Sequence, residues 1–458
     1  MSMAHRFHPS LLREYDMRGV FGDTLYERDA HAVGRSFGTL VRRRGGSRVV
    51  IGRDGRLSSP RLESALADGL AQSGVDVLRI GIGPTPMLYY AEAVLDVDGG
   101  IQITGSHNPA DHNGFKLVLA HEPFFGADIT RLGSIAADGD WEEGSGRVES
   151  IDIMDGYVAR LLQGFAGAPC RIGWDAGNGA AGPVIDKLVQ LLPGEHHTLF
   201  TEIDGNFPHH HPDPTIEANL QDLRALVLSN NLHFGVAFDG DGDRIGVIDG
   251  RGRIIQGDQL LGLFAELVLK NRPGATIVAD VKSSQALFDH VAALGGRPLM
   301  WKTGHSHIKS KMKEVGSPLG GEMTGHIMFA DDYYGFDDGL YAAIRLIRAA
   351  SESGETIAAL HDHMPVMLNT PELRFRVEES RKFGIVEEIL SRLRVEGARV
   401  DETDGARVAS DSGWWLLRAS NTQAELVARL EAHDNDGLER LRTQLLSQLR
   451  QSGVVPNG

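Results

Sequence analysis

The sequence predicts an α/β protein, with three α/β units in series and a smaller α+β unit after them. Three observations point there. A short apolar run followed by an aspartate and a polar turn recurs, as Val49-Val50-Ile51-Gly52-Arg53-Asp54, Ile172-Gly173-Trp174-Asp175, Val236-Ala237-Phe238-Asp239 and Ile277-Val278-Ala279-Asp280. Runs apolar on both faces read as buried strands of the parallel-sheet kind. Segments of helical spacing lie between them. At 458 residues the chain is also too long for one core, and size alone suggests three or four domains. Alternating strands and helices form layers whose ligands sit beyond the carboxyl ends of the strands.

The first unit, residues 1–150, carries the run Ile101-Gln102-Ile103-Thr104-Gly105-Ser106-His107-Asn108-Pro109 and ends in the Gly/Asp/Glu-rich stretch 138–146. Ser59-Pro60 reads there as an N-cap and first helical residue. Leu62, Ala65, Leu66 and Leu70 share one face of that helix, and Gly74 is its stop. The second unit, 151–253, carries Asp239-Gly240-Asp241-Gly242-Asp243-Arg244 and closes on the hairpin signal Asp249-Gly250-Arg251-Gly252. The third, 254–365, runs to Met364-Pro365. In the remainder, 366–458, Ser380 is placed to cap a helix carrying Val386, Ile389, Leu390 and Leu393. Strands are expected at Trp414 to Arg418 and through Leu426, Ala428, Leu430 and Ala432, and a last helix over Leu438 to Leu449.

The formal charge of −16 argues against non-specific nucleic-acid binding, which needs a basic surface. It leaves room for a small anion held in a local basic cleft. Cys170 is the only cysteine, so no intrachain disulfide is expected. The longest apolar run, Leu260 to Leu269, contains Glu266 and is too short to span a bilayer. The N-terminus has no apolar core of signal-peptide type. A monomeric cytoplasmic enzyme without membrane or nucleic-acid partners is the expectation.

Asp239, Asp241 and Asp243 alternate with glycine. In extended backbone, positions i, i+2 and i+4 share a face, and the glycines let the chain curl around one ion. Hard oxygen donors suit Mg²⁺. An EF-hand does not fit, because its sixth position would be Arg244 instead of glycine and its twelfth Gly250 instead of glutamate. Without a cation, three close carboxylates repel one another. Ser106 has three readings: a helix N-cap, an acyl-transfer nucleophile, for which the Gly-x-Ser-x-Gly elbow is missing, or a phosphate carrier. Lys116 is near in sequence to offset phosphate charge, and His107 is adjacent as a proton relay. Arg418-Ala419-Ser420-Asn421-Thr422 gathers a guanidinium, hydroxyls and an amide suited to phosphate. Glu322 and Thr324, two residues apart, suit neighbouring sugar hydroxyls. Tyr15, Arg18, Lys282 and His305 add candidates for the cleft. His209-His210-His211 is framed by prolines and is not assigned to metal, and Asp337-Asp338 reads as a helix start.

Taken in order, these motifs resemble the α-D-phosphohexomutase superfamily, in its bacterial phosphomannomutase/phosphoglucomutase branch. The resemblance runs from Arg13–Gly19 to Arg418–Thr422. It implies three related α/β domains with mixed sheets and a smaller C-terminal domain around a central cleft. It implies that Ser106 carries a phosphoryl group, and that Mg²⁺ binds Asp239, Asp241, Asp243 and the phosphoserine. Glu322 and Thr324 would grip the sugar, and Arg418, Ser420, Asn421 and Thr422 the idle phosphate. Tyr15, Arg18, His107, Lys116, Arg244, Lys282, His305 and His326 would line the cleft and assist charge or proton transfer. The implied reaction interconverts hexose 1- and 6-phosphates through a bound 1,6-bisphosphate, with glucose 1,6-bisphosphate as activator. Gly105 and Met323 separate the chain from phosphoglucosamine mutases, which usually have alanine and glutamine there. Thr324 and Gln423 stand where this branch more often has serine and threonine. Glucose and mannose differ only at C2, so both are expected as substrates.

Overall fold

The computed structural model describes residues 4–421 and 423–455. Three units repeat one strand plan. In the first, the antiparallel pair Gly99–Ile103 and His112–Leu119 sits beside Arg48–Arg53, which is parallel to Gly99–Ile103 and also to Asp76–Ile82. In the second, Phe234–Phe238 and Ile245–Asp249 form the pair, with Cys170–Asp175 and Gly194–Leu199 as the parallel neighbours. In the third, Leu319–Gly321 and Ile327–Phe329 form the pair, with Thr276–Asp280 and Arg297–Trp301 beside it. Each antiparallel pair therefore has one connecting loop, and those loops hold Ser106, the three aspartates, and Glu322 to His326. The recurring sequence runs are the parallel strand beside each pair, plus the first strand of the second pair.

The sheets are mixed for a physical reason. The first strand of each pair is buried along its whole length, being GGIQI, FGVAF and LGG, and so sits inside a sheet covered on both faces. The returning strand needs only a short loop, which an antiparallel neighbour allows and a parallel one does not. The strand Ile254–Ile255 pairs with Ile245–Asp249 and completes the second sheet, and the helix Gly257–Asn271 follows it.

The last unit is different. Its sheet is antiparallel, in the order Leu368–Asn369, Glu425–Ala432, Gly413–Ala419, Ala406–Ser410, Arg399–Asp401, with Leu373–Arg376 also paired to Glu425–Ala432. The helices Lys382–Glu396 and Asn435–Gln451 cover it, and their leucines and isoleucines share one core with Trp415 and Leu417. One larger core runs through the first three units, from Leu88 through Trp174 and Phe264 to Tyr341. A separate one fills the back of the first unit around Phe37 and Leu66. Among the described residues no helix is long and apolar enough to cross a membrane.

Two helix starts differ from the sequence reading. The helix begins one residue earlier, at Ser59, and Ser58 in the N-cap position makes no capping hydrogen bond. The Ser59 hydroxyl is engaged elsewhere, donating to Asp54 Oδ1 at 2.5 Å and accepting from Asn113 Nδ2 at 2.9 Å. Likewise Arg381, not Ser380, precedes the helix Lys382–Glu396. Asp338 does cap its helix, accepting from Tyr341 N at 2.8 Å.

Candidate active site

The three loops and the edge of the fourth unit meet at a cleft of about 480 Å³. Gly99–Ile103 delivers Ser106, which is 1 % exposed and left-handed at φ 50°. For a residue with a Cβ that conformation costs roughly 1–2 kcal/mol and persists only when neighbours over-determine it. The Ser106 amide donates to Thr104 Oγ1 at 2.8 Å, and its hydroxyl donates to Asp239 Oδ2 at 2.7 Å. His107 Nδ1 is 3.2 Å from the same hydroxyl.

Asp239, Asp241 and Asp243 are fully buried, and one oxygen of each lies within 4.8 Å of the others. Lys116 Nζ donates to Asp241 Oδ2 at 2.7 Å and to Asp243 Oδ2. Thr85, unmarked in the sequence, also donates its hydroxyl to Asp241. Burial opposes ionisation of Asp241, but the Lys116 ammonium outweighs it and holds the carboxyl well below its usual range. Asp239 goes the other way, pushed well above its usual range by burial and by Asp241 and Asp243. Burial and Asp241 raise Asp243 as well. Asp241 Oδ1 and Asp243 Oδ1 are buried with no hydrogen-bond partner among the described residues. Buried carboxylate oxygens without donors are costly, and a hard divalent cation is what such oxygens fit. The acidic triad can therefore hold a metal ion.

In the third unit, Glu322 Oε1 accepts from Gly304 N at 2.7 Å, which fixes the carboxylate at the wall of the cleft. The turn is closed by Gly325 at φ 89°, where a Cβ would lie 2.4 Å from the Ile245 carbonyl oxygen. Thr324 lines the cleft beside it. Arg244 Nε donates to His326 Nε2 at 2.9 Å, leaving the ring proton on Nδ1, 2.9 Å from Asp337 Oδ2. His305 stacks on His326, ring centroids 5.1 Å apart, and Lys309 Nζ donates to Asp337 Oδ1 at 2.8 Å. Asp337 thus belongs to the site, while its neighbour Asp338 is the helix cap. Burial and the nearby cations hold His107 and His305 well below the usual histidine value, so both are neutral bases at pH 7.

At the far end, Arg418 has its Nε on Asp404 Oδ2 at 2.9 Å, while its Nη2 is buried without a partner among the described residues. The Ser420 amide donates to the Glu425 carbonyl at 3.0 Å, and Ser420 Oγ accepts from Gln423 N at 3.1 Å. Asn421 Nδ2 donates to the Tyr15 hydroxyl, which donates in turn to the Thr303 carbonyl at 2.8 Å. Burial lifts that phenol to about 12. Thr422 lies outside the described residues. Arg18 is oriented by Asp16, its Nε on Oδ2 at 2.7 Å. Of the histidine triplet, His210 Nε2 is 3.1 Å from Asp175 Oδ2 and His209 Nδ1 is 2.7 Å from Asn178 Oδ1, and among the described residues none of the three belongs to a group that could hold a metal ion.

Lys282 Nζ reaches the cleft with Glu372 Oε1 at 3.1 Å, an ion pair between the third and fourth units. The Lys282 charge holds Glu372 down at about 2, against the cost of its burial, and Arg374 assists. A carboxyl depressed from about 4.3 contributes stability above the unfolded value and loses it as pH falls through about 2. Glu372→Gln is expected to remove that dependence, roughly 3 kcal/mol between pH 5 and pH 2. Urea midpoints of both proteins across this range check it, and equal slopes would refute it.

Family models match all four units. Phosphoglucomutase/phosphomannomutase alpha/beta/alpha domains I, II and III match residues 9–138, 155–252 and 256–367, and the C-terminal domain matches 372–448. A phosphomannomutase/phosphoglucomutase of Pseudomonas aeruginosa is 44 % identical over 442 residues, 96 % of each chain. A phosphoglucomutase of Neisseria gonorrhoeae is 42 % identical and covers 95 % of each. The crystal structure of a phosphoglucomutase/phosphomannomutase family protein from Burkholderia thailandensis superposes with TM-score 0.93 at 43 % identity, over 98 % of this chain and 99 % of that one. With the shared loop plan and one cleft walled by four units, these matches place the chain in the phosphoglucomutase/phosphomannomutase family of hexose-phosphate mutases.

Proposed function

We propose that this chain interconverts the 1- and 6-phosphates of glucose and mannose through phosphorylated Ser106, with Mg²⁺ on Asp239, Asp241 and Asp243. The observation that carries the reading is the Ser106 hydroxyl, 2.7 Å from a carboxylate of the buried triad, behind a cleft that its neighbours His107, Lys116 and Arg244 line and whose far end holds an Arg418 nitrogen without a partner among the described residues. The bond from Ser106 Oγ to phosphorus breaks as one forms to the sugar hydroxyl, whose proton passes to a neutral histidine. His107 and His305 are the candidates, and His326, whose Nε2 accepts from Arg244, lines the cleft beside them. Bound Mg²⁺ supplies positive charge to the transferring phosphoryl oxygens. Lys116, Arg18 and Arg244 add to that charge. Glu322 and Thr324 orient the sugar, and Arg418, Ser420, Asn421 and Thr422 hold the phosphate that is not reacting. After the 1,6-bisphosphate turns over in the cleft, its other phosphate returns to Ser106. Lys282 and Tyr15 serve either orientation from the seam between units. Glucose 1,6-bisphosphate primes the serine as activator. The units 1–150, 151–253, 254–365 and 366–458 each supply one wall, and the enzyme works as a monomer in the cytoplasm.

The test is turnover of glucose 1-phosphate and mannose 1-phosphate with Mg²⁺ and a trace of glucose 1,6-bisphosphate. Hexose 6-phosphate without free phosphate is the expected product from both. Inorganic phosphate without isomerised sugar would make the chain a metal-dependent phosphatase. A preference beyond about a thousandfold would exceed what one lost polar contact supplies and would overturn the dual specificity.

A further inference from the structure

Behind the serine loop lies a charged pair that meets the loop through its backbone and does not line the cleft. The strand Arg48–Arg53 ends at Asp54, and Arg56 then turns beneath the loop, its side chain fully buried. Its Nη2 donates to the carbonyls of Ser106 at 2.7 Å and Asn108 at 2.6 Å. Its Nη1 donates to the carbonyls of His112 at 2.9 Å and Pro109. Its Nε donates to Asp54 Oδ2 at 3.2 Å. All five guanidinium hydrogens are thereby used. Asp54 is fixed in its turn, accepting from Gly105 N at 3.1 Å, Arg56 N at 3.0 Å and Ser59 Oγ at 2.5 Å. The Phe207 ring of the second unit covers the guanidinium, 5.1 Å from Cζ.

Four loop carbonyls pointing inward need donors, and a single planar fork supplies them. The consequence for Ser106 is specific. Thr104 Oγ1 pins the peptide before it and Arg56 Nη2 the peptide after it. With both flanking peptides fixed, the left-handed backbone is over-determined and Oγ is aimed at Asp239. Gly105 now has its reason: a Cβ there would lie 2.5 Å from Arg56 Cζ.

We propose that Arg56, held by Asp54, is the positioning residue for the phosphoryl-carrying serine, an inference that rests on the reading of Ser106 given above. Lysine cannot replace it, since a flexible point charge cannot bridge four carbonyls in one plane. The experiment uses the full chain with Arg56→Lys, Arg56→Gln and Gly105→Ala, the last adding a methyl that displaces the guanidinium. A misplacement near 1 Å at the reacting oxygen costs about a hundredfold. We expect kcat for glucose 1-phosphate to fall by about that factor per folded molecule, with KM within about threefold, because the distant phosphate grip is untouched. Uptake of phosphate by Ser106 from glucose 1,6-bisphosphate, followed by intact-protein mass, should slow in step. A residue with a merely structural role would lower the melting temperature and leave kcat of the folded fraction unchanged. Folded Arg56→Lys with kcat within about threefold of the parent overturns the proposal. If the Arg56 variants do not fold, Gly105→Ala decides by the same criterion. Ser106→Ala separates the two claims, because activity without that hydroxyl would refute the carrier itself.

Discussion

Ser106→Ala is expected to lower formation of hexose 6-phosphate by about a millionfold, the scale on which loss of a nucleophile falls. No other hydroxyl can take its place in the loop. Thr104 Oγ1 is occupied by the Ser106 amide, and the Thr85 hydroxyl is turned to Asp241. The variant should still fold, since the backbone at 106 is tied through its amide and carbonyl, which alanine retains. It loses one hydrogen bond to Asp239, a stability change of about 1–3 kcal/mol once the orphaned carboxylate is included. Hexose phosphates should still bind within a few-fold, because Arg418, Glu322 and Lys282 lie apart from the serine. Calorimetry gives the affinity and a coupled assay the rate. Residual activity above about one part in a thousand would mean that the phosphoryl group passes elsewhere.

What could be read in the sequence was whatever is local. The aspartates alternate with glycine over five residues, so one stretch of backbone gathers them, and the fold packs one oxygen of each within 4.8 Å of the others. The serine loop, the Glu322 turn and the Arg418 loop are local in the same sense, and the fold brings them to one cleft. The groups that fix those loops were not legible. Asp337 matters through His326, Lys309 and His305. Glu372 matters through Lys282, 90 residues away, and Asp404 through Thr303, 101 residues away. Arg56 and Asp54 stand in the recurring strand-end pattern, yet nothing in a Gly-Arg-Asp-Gly-Arg run says that its second arginine will find four carbonyls in another loop. The cap expected at Ser59 fails for the same reason: its hydroxyl satisfies a local rule, yet its lone pair accepts from Asn113, 54 residues away.

The partnership between Lys116 and the aspartates gives the other large effect. Lys116 stands on the strand His112–Leu119, opposite Gln102, with its side chain 4 % exposed, and is the direct cation on two of the three carboxylates. Burial disfavours its charge, yet Asp241, Asp243 and Asp239 hold the ammonium above its usual value. Lys116→Met removes that charge and leaves Asp243 with neither oxygen bonded to a side-chain donor. Breaking one side of a buried ion pair costs about 3–5 kcal/mol, so the metal-free variant should unfold much more readily. Any ligand that binds only the folded state restores stability, by about 2.7 kcal/mol at a hundred times its dissociation constant. In the parent the Lys116 ammonium on the Oδ2 atoms would repel a divalent cation held by the Oδ1 atoms of Asp241 and Asp243, and in the variant that repulsion is gone. Mg²⁺ should therefore raise the melting temperature of Lys116→Met more than that of the parent, and EDTA should reverse the gain. Turnover would not return with stability. The methionine offers no charge to the transferring phosphoryl group, and a loss of about a thousandfold in kcat should remain with Mg²⁺ saturating. Equal melting shifts in the two proteins would separate Lys116 from the cation site, and restored turnover would remove it from the transfer step.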